Sequence, residues 1–160
     1  SQAQSFQEYG GLLGRVLLAL LAARIISRRK LMWVFQVPGL LIMPLVFFAA
    51  PNEPFALVKW GLLLCGLCTI AQMSFWGNYM PKVYPTYLRG TGESFAANIG
   101  GRMIGTCAAL VTTSLVPSMP GAAVPIKLAY AAGLVGTVAY VIAVVASRWL
   151  PEPEGEALPE

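Results

Sequence analysis

Residues 31–50 read LMWVFQVPGLLIMPLVFFAA, twenty positions without a charge, with Ser27-Arg28-Arg29-Lys30 before them and Pro51-Asn52-Glu53-Pro54 after. A helix that crosses the hydrocarbon core of a bilayer needs about 20 predominantly apolar residues. Hydrocarbon offers no partner for a backbone N–H or C=O, so such a run satisfies its own backbone as a helix. Working outward, the pattern repeats over residues 10–26, 55–80, 95–116 and 127–149, with Pro-, Gly- and charge-containing connections at 81–94 and 117–125. The expected fold is all-α: a polytopic membrane protein of about five transmembrane helices within residues 1–150. A polar tail at 151–160, carrying four Glu, follows. The first run is short and interrupted by Arg15, so its outer end is expected to reach back toward Phe6.

Composition agrees. Of 160 residues, 57% are hydrophobic and 11% charged, against about 45–50% and about 25% in soluble domains. Too few charges are present to cover a water-facing surface. The net charge of +4 raises nucleic acid as a partner. The bases cluster at the ends of apolar runs, however, as the anchors of membrane helices do, and no nucleic-acid binding is expected.

Chemistry is sparse. The chain has neither His nor Asp, and Cys65, Cys68 and Cys107 lie inside apolar runs. They read as small packing residues, so neither a metal site nor a cofactor is expected. No span supplies a nucleophile with a base, which argues against an enzyme. Ser1 to Tyr9 lacks the basic stretch that opens a signal peptide, and the chain reads as a piece of something longer.

Arg24, Arg28, Arg29, Lys30, Lys82, Arg89 and Arg148 fall on one side of the expected bundle, with Lys59 and Lys127 on the other. The excess of bases marks the first side as cytoplasmic. That places the tail inside and the start of the chain outside a cell membrane. Trp33, Trp60, Trp76 and Trp149 fall toward helix ends, as an aromatic belt requires.

The fourth run carries the most information. Ser94, Asn98, Arg102, Thr106 and Thr113 recur near multiples of the helical turn and form one polar seam. A guanidinium well inside a span costs at least about 2.5–3.5 kcal/mol unless water, an anion or a carboxylate meets it. The seam is therefore expected to face a bundle interior or a cavity. Gly101-x-x-x-Gly105, and Gly10-x-x-x-Gly14 in the first run, permit close approach of a neighbouring helix. Gln72 is expected to bond a neighbouring helix or a solute hydroxyl, and Pro38 and Pro44 are expected to bend the second helix. Candidate solute-binding residues are Arg102, Asn98, Gln72 and Arg15; the alternative for Arg102 is a guanidinium that snorkels to the cytoplasmic face or pairs with a carboxylate on a helix outside this chain.

Residues 81–92, Pro-Lys-Val-Tyr-Pro-Thr-Tyr-Leu-Arg-Gly-Thr-Gly, resemble the loop between the tenth and eleventh helices of major facilitator superfamily transporters. The sugar-porter and metabolite–proton symporter branches carry a pattern close to P-E-x-Y-P-T-x-L-R-G there. Lys82 stands where that pattern has Glu. Pro151 to Gly155 resembles the P-E-T-x-G tail after the twelfth helix, with Pro153 in place of Thr. Arg24 to Lys30 resembles a degenerate form of the basic loop G-x-L-A-D-R-x-G-R-R-K, with Arg24 for Asp and Ser27 for the second Gly.

The resemblance implies that the five spans are helices eight to twelve of a twelve-helix bundle. That bundle would move a small organic anion or sugar-like metabolite, with a proton as a candidate coupling ion. It implies cytoplasmic gate and loop roles for Arg89, Tyr84, Pro85, Gly90, Glu93, Arg28 and Arg29. The implied partners are the lipid bilayer and the remaining, N-terminal helices of the same transporter. The rival reading is a truncated, non-transporting scaffold that binds other membrane helices.

Overall fold

The computed structural model describes residues 2–152, which form helices and no strands. Helix α1 spans Gln2–Ala22, α2 Arg28–Ala49, α3 Phe55–Thr69 and α4 Ala71–Val83. Helix α5 spans Arg89–Ala96, a π-helical segment covers Ala97–Met103, and α6 spans Ile104–Leu115. Helix α7, Val124–Ala146, completes the set. Helices α3 and α4 form one rod, Phe55–Val83, and α5, the π segment and α6 form another, Arg89–Ser118.

Four helices are long and apolar enough to cross a membrane: Arg28–Ala49, Phe55–Val83, Arg89–Ser118 and Val124–Trp149, of 22, 29, 30 and 26 residues. The chain thus has the composition and architecture of a helical membrane protein. The fifth expected span is helical but falls short of the others in apolar character. The first helix begins at Gln2, not residue 10, and ends at Ala22, and it is not among the apolar four. Its length suffices, but Gln2, Gln4, Gln7, Glu8 and Arg15 dilute its apolar character.

Local chemistry sets the helix ends. Ser27, extended at φ −70° and ψ 116°, caps α2 by accepting from the Lys30 amide. Pro54 precedes α3, and Pro125 sits in the first turn of α7, where a missing N–H costs nothing. Gly121, at φ +131°, is the only described residue at positive φ, and it turns the chain between Arg89–Ser118 and α7. Helix α2 runs through Pro38 and Pro44 without interruption.

The helices interlock through small residues. Lipid is as apolar as a side chain, so close packing rather than hydrophobic drive must hold membrane helices together. Helix α1 lies on α3, with Gly10 against the Leu63 carbonyl and Gly14 against the Leu67 carbonyl. In return Gly66 admits the Gln7 carbonyl. A Cβ at any of the three would collide with backbone. Helix α2 lies between α3 and α7, with Gly39 against the Tyr140 ring and Phe48 stacked on Tyr130.

Leu18, Leu31, Met32, Phe35, Ala71, Phe75 and Tyr79 form the buried cluster where α1, α2 and α4 meet. Trp76 packs edge-on against Phe75 and Tyr79, so it belongs to this cluster as much as to a surface belt.

Arg89–Ser118 stands apart. It touches α7 through α6 and its last turn, and α4 where it begins. None of its residues is buried. A Cβ added at Gly101 or Gly105 would meet nothing within 4 Å, so their expected close approach is made with no described helix.

Candidate functional site

Ser94, Asn98, Arg102 and Thr106 are each four residues apart. In an α-helix a step of four overshoots a full turn by about 40°, so an uninterrupted helix would wind this row around its side. The π segment Ala97–Met103 takes more residues per turn and rotates the row back. The polar side chains therefore keep closer to one line than their spacing alone allows.

Along the seam, two polar side chains bond their own helix. Asn98 Nδ2 donates to the Ser94 carbonyl at 2.8 Å, and Thr113 Oγ1 donates to the Leu110 carbonyl at 2.9 Å. Arg102 is exposed, and no hydrogen bond or ion pair among the described residues reaches its guanidinium. Gly90, Thr91, Ser94, Phe95, Asn98 and Ile99 line an open groove on the same rod. The seam was expected to face a bundle interior or a cavity. Within this chain it lies on the outside, because no described helix packs over it.

The four candidate solute-binding residues are not brought together. Arg102 and Asn98 share a rod. Arg15 is exposed on α1, which makes no contact with that rod. Gln72, on α4, donates to the Cys68 carbonyl of its own rod at 2.8 Å. It lies close to the Tyr140 hydroxyl, at a geometry that falls short of a hydrogen bond. Gln36, which the sequence reading did not single out, is buried with its side-chain oxygen unpaired.

The expected loop at 81–94 shrinks to the link between Val83 and Arg89. Lys82 closes α4, while Arg89, Gly90 and Glu93 belong to α5. The turn is held by the Leu88 amide donating to the Pro85 carbonyl at 3.0 Å, and the Tyr84 ring lies against Gly92.

A second constellation joins the end of the described chain to the start of α2. Glu152 accepts from the Ser27 hydroxyl at 2.8 Å and from the Arg28 and Arg29 amides at 3.0 Å each. These amides lack intrahelical partners, and the helix N-terminus carries partial positive charge, so a carboxylate is favoured there. The Arg29 guanidinium donates to the Leu150 carbonyl at 2.6 Å and lies 3.9 Å from Glu152. Tyr79 donates its hydroxyl proton to the Pro151 carbonyl at 2.7 Å, and Trp33 Nε1 donates to Ser147 Oγ at 2.8 Å.

Partial burial pushes the Glu152 carboxyl up. The Ser27 hydroxyl, the Arg29 and Arg28 amides and the Arg29 charge outweigh it and hold the group below the usual carboxylate range. Arg28 and Arg29 were expected at this end of the bundle. Glu152 was not singled out, although an acid just past the last apolar run and a serine before a basic run are both visible in the sequence. Pro153, Glu154 and Gly155, the rest of the tail resemblance, lie outside the described residues.

Set against protein families, curated proteins and solved structures, the chain matches none of them.

Proposed function

We propose that this chain forms part of the translocation body of a secondary transporter for a small organic solute, an organic anion or a sugar-like metabolite, working by alternating access. One observation carries the reading: Arg102 lies exposed on a rod long and apolar enough to cross a bilayer. Facing acyl chains there would cost at least about 2.5–3.5 kcal/mol, so the seam is stable only against a polar space. The resemblance of residues 81–92 to the major facilitator loop supports the same reading.

On this reading the chain is the C-terminal part of a larger bundle in a cell membrane, with its tail cytoplasmic. Arg102 and Asn98 meet the solute, and Gln72 and Arg15 lie farther along the path. Arg89, Tyr84, Pro85, Gly90, Glu93, Arg28 and Arg29 work at the cytoplasmic mouth. Any carboxylate that couples transport to protons comes from outside these spans. The test is solute uptake by the complete protein in vesicles, compared with Arg102→Ala and Asn98→Ala. Loss of uptake in both is expected. Unchanged uptake in both removes the seam from the pathway.

The bare Gly101 and Gly105 also favour a second reading, a scaffold that binds other membrane helices without transporting. Six or seven further apolar spans upstream in the reading frame would separate the transporter from the scaffold.

A further inference from the structure

The four apolar rods hold a single acidic residue, Glu93. It lies on the same rod as Arg102, nine residues earlier, which is about 13 Å along the axis. Glu8 lies on α1, which makes no contact with Arg89–Ser118. The spans therefore offer Arg102 no carboxylate at its own depth. None of the rod's residues is buried, and beside the arginine Gly101 and Gly105 leave room for another backbone to come close.

We propose that a transmembrane helix from outside these 160 residues packs lengthwise on this face and presents an Asp or Glu carboxylate to Arg102. The inference rests on the bilayer-spanning part of the reading above. An intramembrane arginine is stable when paired, and charge complementarity selects an acid as the partner. Close approach over glycine brings the two side chains within reach and excludes lipid from the ion pair. In a transporter, an anionic solute then competes with this carboxylate for the same guanidinium.

The experiment places a photo-reactive benzoylphenylalanine at Thr106, in the seam, within the complete protein in its own membrane. A control probe goes at Ile104, which is 62% exposed and about 200° around the helix from Arg102. After illumination the adducts are mapped by mass spectrometry. The Thr106 probe is expected to join a predominantly apolar peptide that contains an Asp or Glu, while the Ile104 probe joins lipid.

Arg102→Gln should lower the peptide adduct about tenfold, as losing an interhelical polar contact in a membrane implies. Arg102→Lys should largely retain it. Neutralising the acid in the captured peptide should give the same fall, and combining it with Arg102→Gln should add nothing. Lipid adducts alone at Thr106, a captured peptide without an acid, or an adduct unchanged by Arg102→Gln overturns the proposal. Should Arg102→Gln fail to fold, the acid-side variant and Arg102→Lys still decide. Uptake measured on the same samples separates the two readings: a missing adduct with intact uptake sinks the helix partner alone, and an intact adduct without transport of any solute sinks the transporter alone.

Discussion

Ser27 and Glu152 are 125 positions apart in the chain, yet the Ser27 hydroxyl donates to Glu152 Oε1 at 2.8 Å. The same carboxylate takes the first amides of α2, so the segment after α7 caps a helix that begins near the start of the chain. This latch joins α2, α4 and the end of α7 at one end of the bundle and supplies the most direct tests of the structure.

Glu152→Gln keeps one acceptor but loses the charge, and should destabilise the fold by about 0.5–1 kcal/mol. That is the range of a helix cap, reduced because Glu152 is 36% exposed and screened by solvent. Unfolding in detergent can be followed with a thiol-reactive dye that reports Cys65 and Cys68, both buried in the fold. A Cys107→Ser background removes the exposed third thiol. An unchanged midpoint would show that the latch contributes nothing.

The pH dependence follows from the lowered Glu152 carboxyl. A carboxyl that is more acidic folded than unfolded contributes its full stability above its ordinary value of 4.5, and loses it as pH falls through the lowered folded value. Native protein and Glu152→Gln should thus differ by a constant amount at neutral pH and converge as pH falls below 4.5. Stability profiles that run parallel down to strong acid would contradict the contacts at Glu152.

Gly10 on α1 and Gly100 on the exposed rod should respond oppositely to alanine. Gly10→Ala drives a Cβ into the Leu63 carbonyl, and backbone cannot swing aside as a side chain can, so a loss of about 1–3 kcal/mol is expected. Gly100→Ala meets nothing within 4 Å and should be neutral, or gain up to about 1 kcal/mol from helix propensity. The same thiol assay reads both, and equal losses would refute the α1–α3 packing.

Ser147→Ala leaves the half-buried Trp33 indole N–H without its 2.8 Å acceptor. An orphaned donor costs about 1–3 kcal/mol, and the tryptophan emission of the variant should shift with the changed surroundings of Trp33. An unaltered spectrum with unaltered stability would place Trp33 in lipid or water instead.

By itself the sequence determined the solvent and the helices. Runs such as residues 31–50 are too apolar for water, and an unpaired backbone cannot stand in hydrocarbon, so helical spans follow from composition and length alone. The polar row of Ser94, Asn98 and Arg102 was equally legible, because spacing near the helical turn survives without knowledge of neighbours.

Only the tertiary structure decided where these features go. It used Gly10 and Gly14 in packing and left Gly101 and Gly105 bare, although the two motifs read alike. It kept Gln72 on its own backbone and carried Glu152 to the start of α2. Spacing along a helix fixes which residues share a face. What that face meets depends on contacts between distant segments, which local sequence does not encode.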